Sequence, residues 1–282
     1  MVLTNNLLTA VKSDVRNYIE SVFAFANIGE DDTIARATDT ELGSEILRVA
    51  VSASDKSVTD TITLSAIIPP TQANDSFIKE TGWVSEDYLM VDDCDAITDW
   101  TDSADMTVHL NNTTFYQGTG AIDLTKDGAA NALATTHKTT TSVDFTGKNL
   151  GLILYIIDAT ALAKLATTDA VIIRFGSDNS NYYEWKYDLA DLTTGKQLLN
   201  SMNSTNATTT GTPDITACDY TYIGLTADAA ATTWSDGDII MDFIQVYGGT
   251  QYVRNTVTTI GKTDDIELYL DTTIKIKTTQ SW

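Results

Sequence analysis

Three carboxylates lie close together at residues 92–95 and have the chemistry of cation ligands. Asp92, Asp93 and Asp95 present the oxygen atoms that calcium prefers, because Ca²⁺ takes about six to eight oxygens from carboxylates and backbone carbonyls. The alternative is that these acids are solvated or cap turns. The spacing therefore indicates a calcium site as one of two interpretations.

Catalytic chemistry finds less support in the residue pattern. The histidines, His109 and His137, lie among Thr and Asn residues without a Ser or Cys partner in a recognised motif, and nucleophilic catalysis needs both a nucleophile and an oriented base. A glycosidase needs two carboxylates across a cleft, but 39 acidic residues supply such pairs by chance. We therefore predict a protein that is not an enzyme.

Aromatic residues form a third group with binding chemistry. Tyr183, Trp185 and Tyr187 share one face of a predicted strand, because side chains alternate with a period of two. The opposite face of that strand carries Tyr182, Glu184, Lys186 and Asp188. An aromatic row of this kind is more often core than a binding platform, and we favour the core.

Aromatic residues in loops are better candidates for ligand contact. Trp100 and Trp234 lie in polar stretches with Asp and Ser nearby, so we predict that both are exposed in loops, where binding residues concentrate. Asn179 and Asn181 belong to the polar turn at residues 177–181. These four side chains are the predicted contact residues.

The charge of the chain limits its partners. Its 282 residues carry a formal net charge of −22, so polyphosphates and anionic lipid surfaces would be repelled. A run of 18 apolar residues and a signal-peptide pattern are both missing, and we expect neither membrane insertion nor export by the general secretory route. Cys94 and Cys218 are too few for a disulfide framework, and a bond between the two is left open.

Hydrophobic patterns predict one long helix and many strands, a mainly β fold. Residues 4–20 have apolar side chains at helical spacing. Strands are predicted where apolar and polar residues alternate or form short apolar runs, and the chain is long enough for two domains. The predicted strands are 22–28, 46–54, 58–68, 77–84, 107–110, 121–124, 142–145, 150–157, 170–175, 182–187, 221–226, 239–247 and 266–276, with a short helix at 159–166.

One series of motifs is divided between the two ends of the chain. Ile28-Gly29, Asp39-Thr-Glu-Leu-Gly-Ser-Glu45 and Asn74–Trp83 come first, and Tyr252–Val257 and Lys262–Ile276 follow much later. This order resembles the N-terminal attachment domain of phage tail-fibre proteins, interrupted by a long insertion. The resemblance implies a small helix-plus-β domain made of residues 1–86 and 250–282. Insertion at an exposed loop tip is thermodynamically tolerated.

The inserted residues carry a signature of their own. Val91–Trp100 is an acidic start, Tyr116–Leu124 is a glycine-containing turn into a strand, and Gly237–Tyr247 is an apolar closing strand. Together they resemble carbohydrate-binding modules of the jelly-roll β-sandwich type. The resemblance implies an inserted jelly-roll β-sandwich over residues 87–249.

The same resemblance suggests a ligand set for calcium. In jelly-roll modules a structural calcium is held at positions that correspond here to Asp93, the backbone carbonyl of Gln117, and Asp242. Gly176–Trp185 is also similar to a stretch found in sandwich modules. The sequence departs from that pattern at Gly195-Lys-Gln197, where a Gly-Trp-Asn turn is usual, so a contact made by the family's Trp is in doubt.

Together the two resemblances imply a virion structural protein, a fibre or spike on the particle surface. Its split domain would dock on other virion proteins of the tail or capsid, and its jelly roll would bind a host-surface glycan through Trp100, Trp234, Asn179 and Asn181. We also predict a homotrimer, because a small split domain with exposed edge strands benefits from subunit packing. The alternative is a non-adhesive decoration protein with the same fold. A glycan depolymerase is disfavoured, since the sequence has neither a long repetitive β-helix nor a defined acid pair.

Overall fold

The computed structural model describes residues 5–30, 33–35, 42–43, 45–58, 60–70, 72–73, 76–86, 88–249, 251–263 and 267–276, with the backbone alone at 5–8 and 251–256. The chain is mainly β, which confirms the predicted fold class. In the described part, no helix has the length and apolar character needed to cross a membrane. Residues 39–41 and 44 of the Asp39–Glu45 motif lie outside the described residues.

The chain divides into two compact units, one formed by Met1–Asp87 with Gly249–Trp282 and the other by Tyr88–Gly248. We call them the split unit and the sandwich unit. Their elements in chain order are α1 (Asn5–Val22), β1 (Phe25–Gly29), β2 (Glu45–Asp55), β3 (Thr61–Ile68), β4 (Ser76–Val84), β5 (Leu89–Asp92), β6 (Thr101–Asp102), β7 (Thr107–Asn111), β8 (Ala121–Thr125), β9 (Leu133–Val143), β10 (Asn149–Ile156), α2 (Ala159–Leu162), β11 (Val171–Asp178), β12 (Asn181–Tyr187), a 3₁₀ turn (Leu189–Asp191), β13 (Gly195–Met202), β14 (Thr208–Thr210), β15 (Cys218–Thr226), β16 (Ile239–Tyr247), β17 (Gln251–Lys262) and β18 (Leu268–Lys275).

The strands that follow the sandwich unit form both edges of the split unit's sheet. The strand order is β17-β4-β1-β2-β3-β18, and β17 and β18 both pair antiparallel with their neighbours. Alternation along β18 brings Leu270 and Ile274 onto a cluster that contains Ile62, Leu64 and Ala66. The sheet is therefore completed only when both ends of the chain are present.

A buried ionic network lies inside the split unit. The Arg48 guanidinium pairs with the carboxylate of Glu45, and both side chains are almost fully buried. Asn27 Nδ2 donates to Glu45 Oε2 at 2.8 Å, and Arg48 Nη1 donates to the carbonyl of Glu86 at 2.8 Å. The charges are thus paired and hydrogen-bonded, as buried charges must be, and the last residues of the unit's first segment are held by the same guanidinium.

Two sheets make up the sandwich unit. One has the order β13-β10-β16-β8-β7, with β5 also paired to β16, and the other has the order β14-β12-β11-β15-β9-β6. The predicted apolar run at 150–157 becomes β10, which lies between β13 and β16. Its buried position explains why it has no solvent-facing alternation.

Aromatic packing fills the space between the two sheets. Phe145 lies edge-on to Phe175, with ring centroids 5.3 Å apart, and edge-on to Trp185 at 6.2 Å. The Tyr183 ring is 6.0 Å from Phe145, and all four rings belong to the main core cluster. Such pairs stabilise a core beyond the area that they bury. The prediction that Tyr183 and Trp185 are core residues is confirmed.

Several sequence predictions miss strands that carry weak apolar signals. β5, β6, β13 and β14 were not predicted, and β9 covers Leu133–Val143 instead of 142–145. β9 is rich in threonine, which favours strands through its branched Cβ but leaves no apolar alternation. The short helix ends at Leu162. Cys94 and Cys218 are both buried and free, so the disulfide left open by the sequence is not formed.

The division into two units predicts that each folds without the other. A fragment of residues 86–249 should unfold in one cooperative transition with strand-type circular dichroism, because it has its own core. The remaining chain, joined by a short Gly-Ser linker between Ser85 and Thr250, should also fold. If both pieces fail to unfold cooperatively, the two units are one folding domain.

Candidate functional site

The predicted tryptophan contacts lie in the sandwich core. Trp100 is 9% exposed and Trp234 is 2% exposed, and both belong to the main core cluster. Trp234 Nε1 donates to the carbonyl of Leu124 at 2.5 Å. The prediction that these residues are exposed is therefore wrong. Polar neighbours in the sequence indicated loops correctly, but the large apolar indoles fold inward from those loops.

The two predicted asparagines lie at the turn between β11 and β12. Asn179 is exposed and remains a predicted contact. Asn181 has a structural task, since its Nδ2 donates to Asp178 Oδ2 at 2.9 Å and its Oδ1 accepts from Thr212 N at 2.8 Å. These bonds hold the turn to a neighbouring loop.

The predicted calcium ligands are arranged differently from the expected set. Asp242 Oδ2 accepts hydrogen bonds from the backbone N–H groups of Tyr116 at 2.7 Å and Gln117 at 3.0 Å. Asp95 Oδ1 accepts hydrogen bonds from the next residues of the same loop, from Thr119 N at 2.6 Å and Gly120 N at 2.7 Å. Asp93 is exposed, and its Oδ1 accepts a local hydrogen bond from Asp95 N at 3.2 Å. Asp95 thus replaces Asp93 beside Asp242.

One observation fits a cation at this loop. Asp242 Oδ1 is buried without a hydrogen-bond partner, and burial raises the pKa of Asp242 to about 7, with the Asp95 charge adding to the rise against the bonds from Tyr116 and Gln117. Among the described residues no group of three or more His, Cys, Asp or Glu side chains is placed to hold a metal. Asp95, Asp242 and backbone oxygens would be the ligands, and the cation would neutralise the two carboxylates.

A second candidate site lies on the outer face of the sheet that contains β12, β11, β15 and β9. Side chains alternate along each strand, and Tyr183, Phe175 and Ile223 point into the core. The residues between the core positions therefore face outward. We define the tyrosine face as this outward set: Arg174, Glu184, Tyr182, Tyr220, Tyr222 and His137.

Strand pairing lines these residues up across the sheet. Glu184 lies opposite Arg174, Arg174 opposite Tyr222, and Tyr222 opposite His137. The next row places Tyr182 and Tyr220 on either side of Gly176. Residues directly opposite one another have neighbouring side chains, so four strands contribute to one surface.

Arg174 is the centre of the tyrosine face. Its guanidinium carbon lies 4.5 Å from the ring centroid of Tyr182 and 4.3 Å from that of Tyr222. Its Nε donates to Glu184 Oε2 at 2.7 Å. Cation–π contacts on two sides and a charge-assisted hydrogen bond hold the guanidinium in one orientation.

The tyrosines have different tasks on this surface. Tyr220 and Tyr222 are each 7% exposed and form a small cluster with Ile172, so they support the groups above them. The Tyr222 side chain lies over Gly224. A Cβ atom at Gly224 would be 3.1 Å from the Tyr222 hydroxyl oxygen. Tyr182 and His137 are half-buried. These two rings and the Arg174–Glu184 pair therefore supply the accessible part of the face.

The pKa values of Tyr220, Tyr222 and Arg174 on the tyrosine face are all raised. Burial raises the pKa of Tyr220 and Tyr222, so both hydroxyls stay neutral. Burial opposes the charge on Arg174, but the hydrogen bond to Glu184 and neighbouring negative groups raise its pKa overall. The face thus combines neutral rings with a permanent cation and its carboxylate partner.

This arrangement is suited to binding a polyhydroxylated ligand. Arg174 has Nη donors in addition to the Nε that bonds Glu184, and the Glu184 carboxylate is an acceptor. The hydroxyl groups of a ligand can therefore both accept and donate hydrogen bonds here. Half-buried rings offer flat apolar contact.

Sequence reasoning missed this site although part of its signal was visible. Tyr182 and Glu184 were placed on the face opposite the core, and Tyr220 and Tyr222 alternate in the same way. The sequence did not show which strands are neighbours. Arg174 and the Tyr220–Tyr222 pair belong to strands far apart in the chain, and only the sheet order brings them together.

Comparison with known proteins gives matches in structure alone. No family model matches the chain, and no curated protein matches it in sequence. Similar solved structures include a family 11 carbohydrate-binding module from Clostridium thermocellum in complex with a β-1,3-1,4-mixed-linked tetrasaccharide, with 10% identity, coverage of 58% of this chain and 98% of the module, and a TM-score of 0.41. An exo-β-agarase has 10% identity, coverage of 58% and 26%, and a TM-score of 0.40. A carbohydrate-binding module described for specific mannan recognition has 10% identity, coverage of 58% and 100%, and a TM-score of 0.32.

Calcium should stabilise the protein more at about pH 8 than at about pH 5. Because the folded pKa of Asp242 is raised, the stability that its protonated form contributes is present at low pH and falls as the pH rises towards about 7. Above that pH a cation would supply the missing partner of the carboxylate. The measurement is the melting temperature with calcium and with a chelator at both pH values.

Two variants test whether Asp242 or Asp93 is a calcium ligand. Asp242→Asn should lose the calcium response and weaken the fall in stability with pH, because an amide does not ionise. Asp93→Asn changes an exposed carboxylate and should keep both effects. An undiminished calcium response in Asp242→Asn would remove that residue as a ligand.

Proposed function

We propose that the protein is a non-catalytic binding protein whose sandwich unit recognises a glycan on the tyrosine face. The observation that carries this proposal is the Arg174 guanidinium held between Tyr182 and Tyr222 and bonded to Glu184. Hydroxyl groups of a sugar need donors and acceptors at fixed positions, and its C–H faces need flat apolar partners. The tyrosine face presents both on a rigid sheet, so little ordering is required on binding.

The shape of the site favours an extended ligand. The row from Glu184 through Arg174 and Tyr222 to His137 crosses four neighbouring strands. At a strand spacing of about 4.8 Å this row is roughly 14 Å long. Such a length exceeds a single sugar ring, and we therefore propose an oligosaccharide or polysaccharide chain as the ligand.

We further propose that the split unit attaches this module to a virus particle, as part of a fibre or spike at the particle surface. Support comes from the tail-fibre-like motifs Ile28-Gly29 and Ile78–Trp83 and from the Lys262–Ile276 ending. Other virion proteins would be its docking partners, and a homotrimer would present three tyrosine faces. Multiple faces convert weak single-site binding into avidity, because the second contact is effectively intramolecular.

Glycan binding should depend on the accessible residues of the tyrosine face. Tyr182→Ala removes a half-buried ring and one of the two cation–π contacts of Arg174. Arg174→Lys keeps the charge but loses the planar fork and the stacking. Each change should weaken binding by roughly tenfold or more, equivalent to about 1.4 kcal/mol. The assay is calorimetric titration with soluble mixed-linked β-glucan, mannan and agaro-oligosaccharides, together with adsorption to intact host cells.

The matched control is Tyr269→Ala, which removes a 63% exposed tyrosine from the split unit. This variant should bind as the wild type does, and all variants should keep their melting temperatures within a few degrees. Unchanged binding by a folded Tyr182→Ala and Arg174→Lys would remove the tyrosine face as the site. Failure of the wild type to bind any cell or polysaccharide would favour the decoration protein instead.

A further inference from the structure

A recess opens at the edge of the sandwich unit, where the two sheets meet. It has a volume of about 490 Å³, which lies within the range of about 300–1,000 Å³ that small-ligand sites occupy. One wall is the β9 segment 138–141, and the other wall is formed by residues 90–93, at the end of β5, together with Asp99. β9 and β5 belong to different sheets, so the recess lies between the sheet edges. We call it the edge recess.

A buried ion pair joins the two walls of the edge recess. Lys138 Nζ lies 2.6 Å from Asp92 Oδ2, and the two side chains are 16% and 4% exposed. Asp92 Oδ1 also accepts a hydrogen bond from Cys94 N at 2.8 Å, and the ammonium lies 5.9 Å from the centroid of the Trp100 ring. These contacts hold the pair in one arrangement, so the two walls keep a fixed spacing.

The lining of the edge recess is chemically suited to hydroxyl groups. Asp93 and Asp99 are exposed carboxylates that accept hydrogen bonds, and Thr139 and Thr141 have hydroxyls that both donate and accept. Among the described residues, no three His, Cys, Asp or Glu side chains are placed to hold a metal ion. The carboxylates of the recess therefore do not converge on one point, and separate hydroxyl groups match them better than a single cation does.

The edge recess is continuous with the tyrosine face. His137, Thr139 and Thr141 lie on one side of β9, because side chains alternate along a strand. His137 belongs to the tyrosine face, and the two threonines line the recess. Thr139 also lies directly opposite Tyr220. A ligand chain that follows the row from Glu184 to His137 therefore reaches the recess, and there it meets a wall that belongs to the other sheet.

We propose that the edge recess holds the terminal sugar unit of the glycan that lies on the tyrosine face. This inference rests on the proposed glycan binding and adds to it that the protein recognises a chain end. The wall at Asp92 and Lys138 prevents a chain from continuing past the sheet edge, so a terminal unit fits where an internal unit does not. The charges of Asp93 and Asp99 repel an anionic unit such as a uronate, and the terminal unit is therefore a neutral sugar.

Calorimetric titration of the full chain with glycans of different length tests the proposal. The probes are size-fractionated oligosaccharides from mixed-linked β-glucan, mannan and agarose, each compared with its parent polymer. Wild-type protein should bind one copy per oligosaccharide chain. It should also bind the oligosaccharides roughly tenfold or more tightly than the internal segments of the polymer. A site for internal segments would instead take more copies of the protein as the chains lengthen.

Two variants test the residues of the edge recess. Thr141→Arg places a long side chain in the recess, so it should lose the preference for oligosaccharides and keep the binding of the polymer. Asp99→Asn should weaken oligosaccharide binding roughly threefold or more, because an amide oxygen makes a weaker hydrogen bond than a carboxylate. The backbone of residue 99 is left-handed, with a φ of 68°, and asparagine adopts this conformation as readily as aspartate does.

The matched control is Thr194→Arg, which adds the same charge at an exposed threonine outside the edge recess. This variant should bind every probe as the wild type does, and all variants should keep the wild-type melting temperature. A bound number that rises with oligosaccharide length, or an unchanged oligosaccharide preference in a folded Thr141→Arg, would overturn the terminal-unit proposal and leave the tyrosine face as the binding site. Failure of the wild type to bind any of the probes would overturn glycan binding and this proposal together.

Discussion

Aromatic packing between the sheets of the sandwich unit is the constraint on which the tyrosine face depends. Phe145, Phe175, Tyr183 and Trp185 are buried together, and a strand that slipped by one residue would turn all its side chains to the other face. Burial of the core rings therefore fixes β11 and β12 in one register. Arg174, Tyr182 and Glu184 are directed outward because their neighbours are held inward.

Charged groups in this acidic protein differ mainly in whether they have partners. Lys126 is fully buried, yet its Nζ donates to the carbonyls of Gly128 at 2.6 Å and Ala230 at 2.9 Å. Arg48 and Arg174 are likewise paired with carboxylates. Asp242 is the contrasting case, since one of its buried oxygens lacks a hydrogen bond. An unpaired buried carboxylate is costly unless it is protonated or neutralised, so we expect the stability of the protein to depend on pH through Asp242 and the loop at Tyr116–Gly120 that it binds.

The two units differ in how their surfaces are built. The sandwich unit has a continuous core and carries the tyrosine face on paired strands, so its surface is rigid. In the split unit, both edges of the sheet come from residues after the insertion, and the apolar stripe of α1 is exposed.

The sequence by itself determined the mainly β class, α1 and most of the strands with strong apolar alternation, because these depend on local periodicity. It also determined that Tyr183 and Trp185 share a face opposite Tyr182 and Glu184. The tertiary structure alone decided which strands are neighbours, and hence that Arg174 lies between Tyr182 and Tyr222. It decided too that Trp100 and Trp234 turn inward, and that Asp95 instead of Asp93 stands with Asp242. These outcomes depend on contacts between residues far apart in the chain, where burial and close packing outweigh the local polarity that a sequence displays.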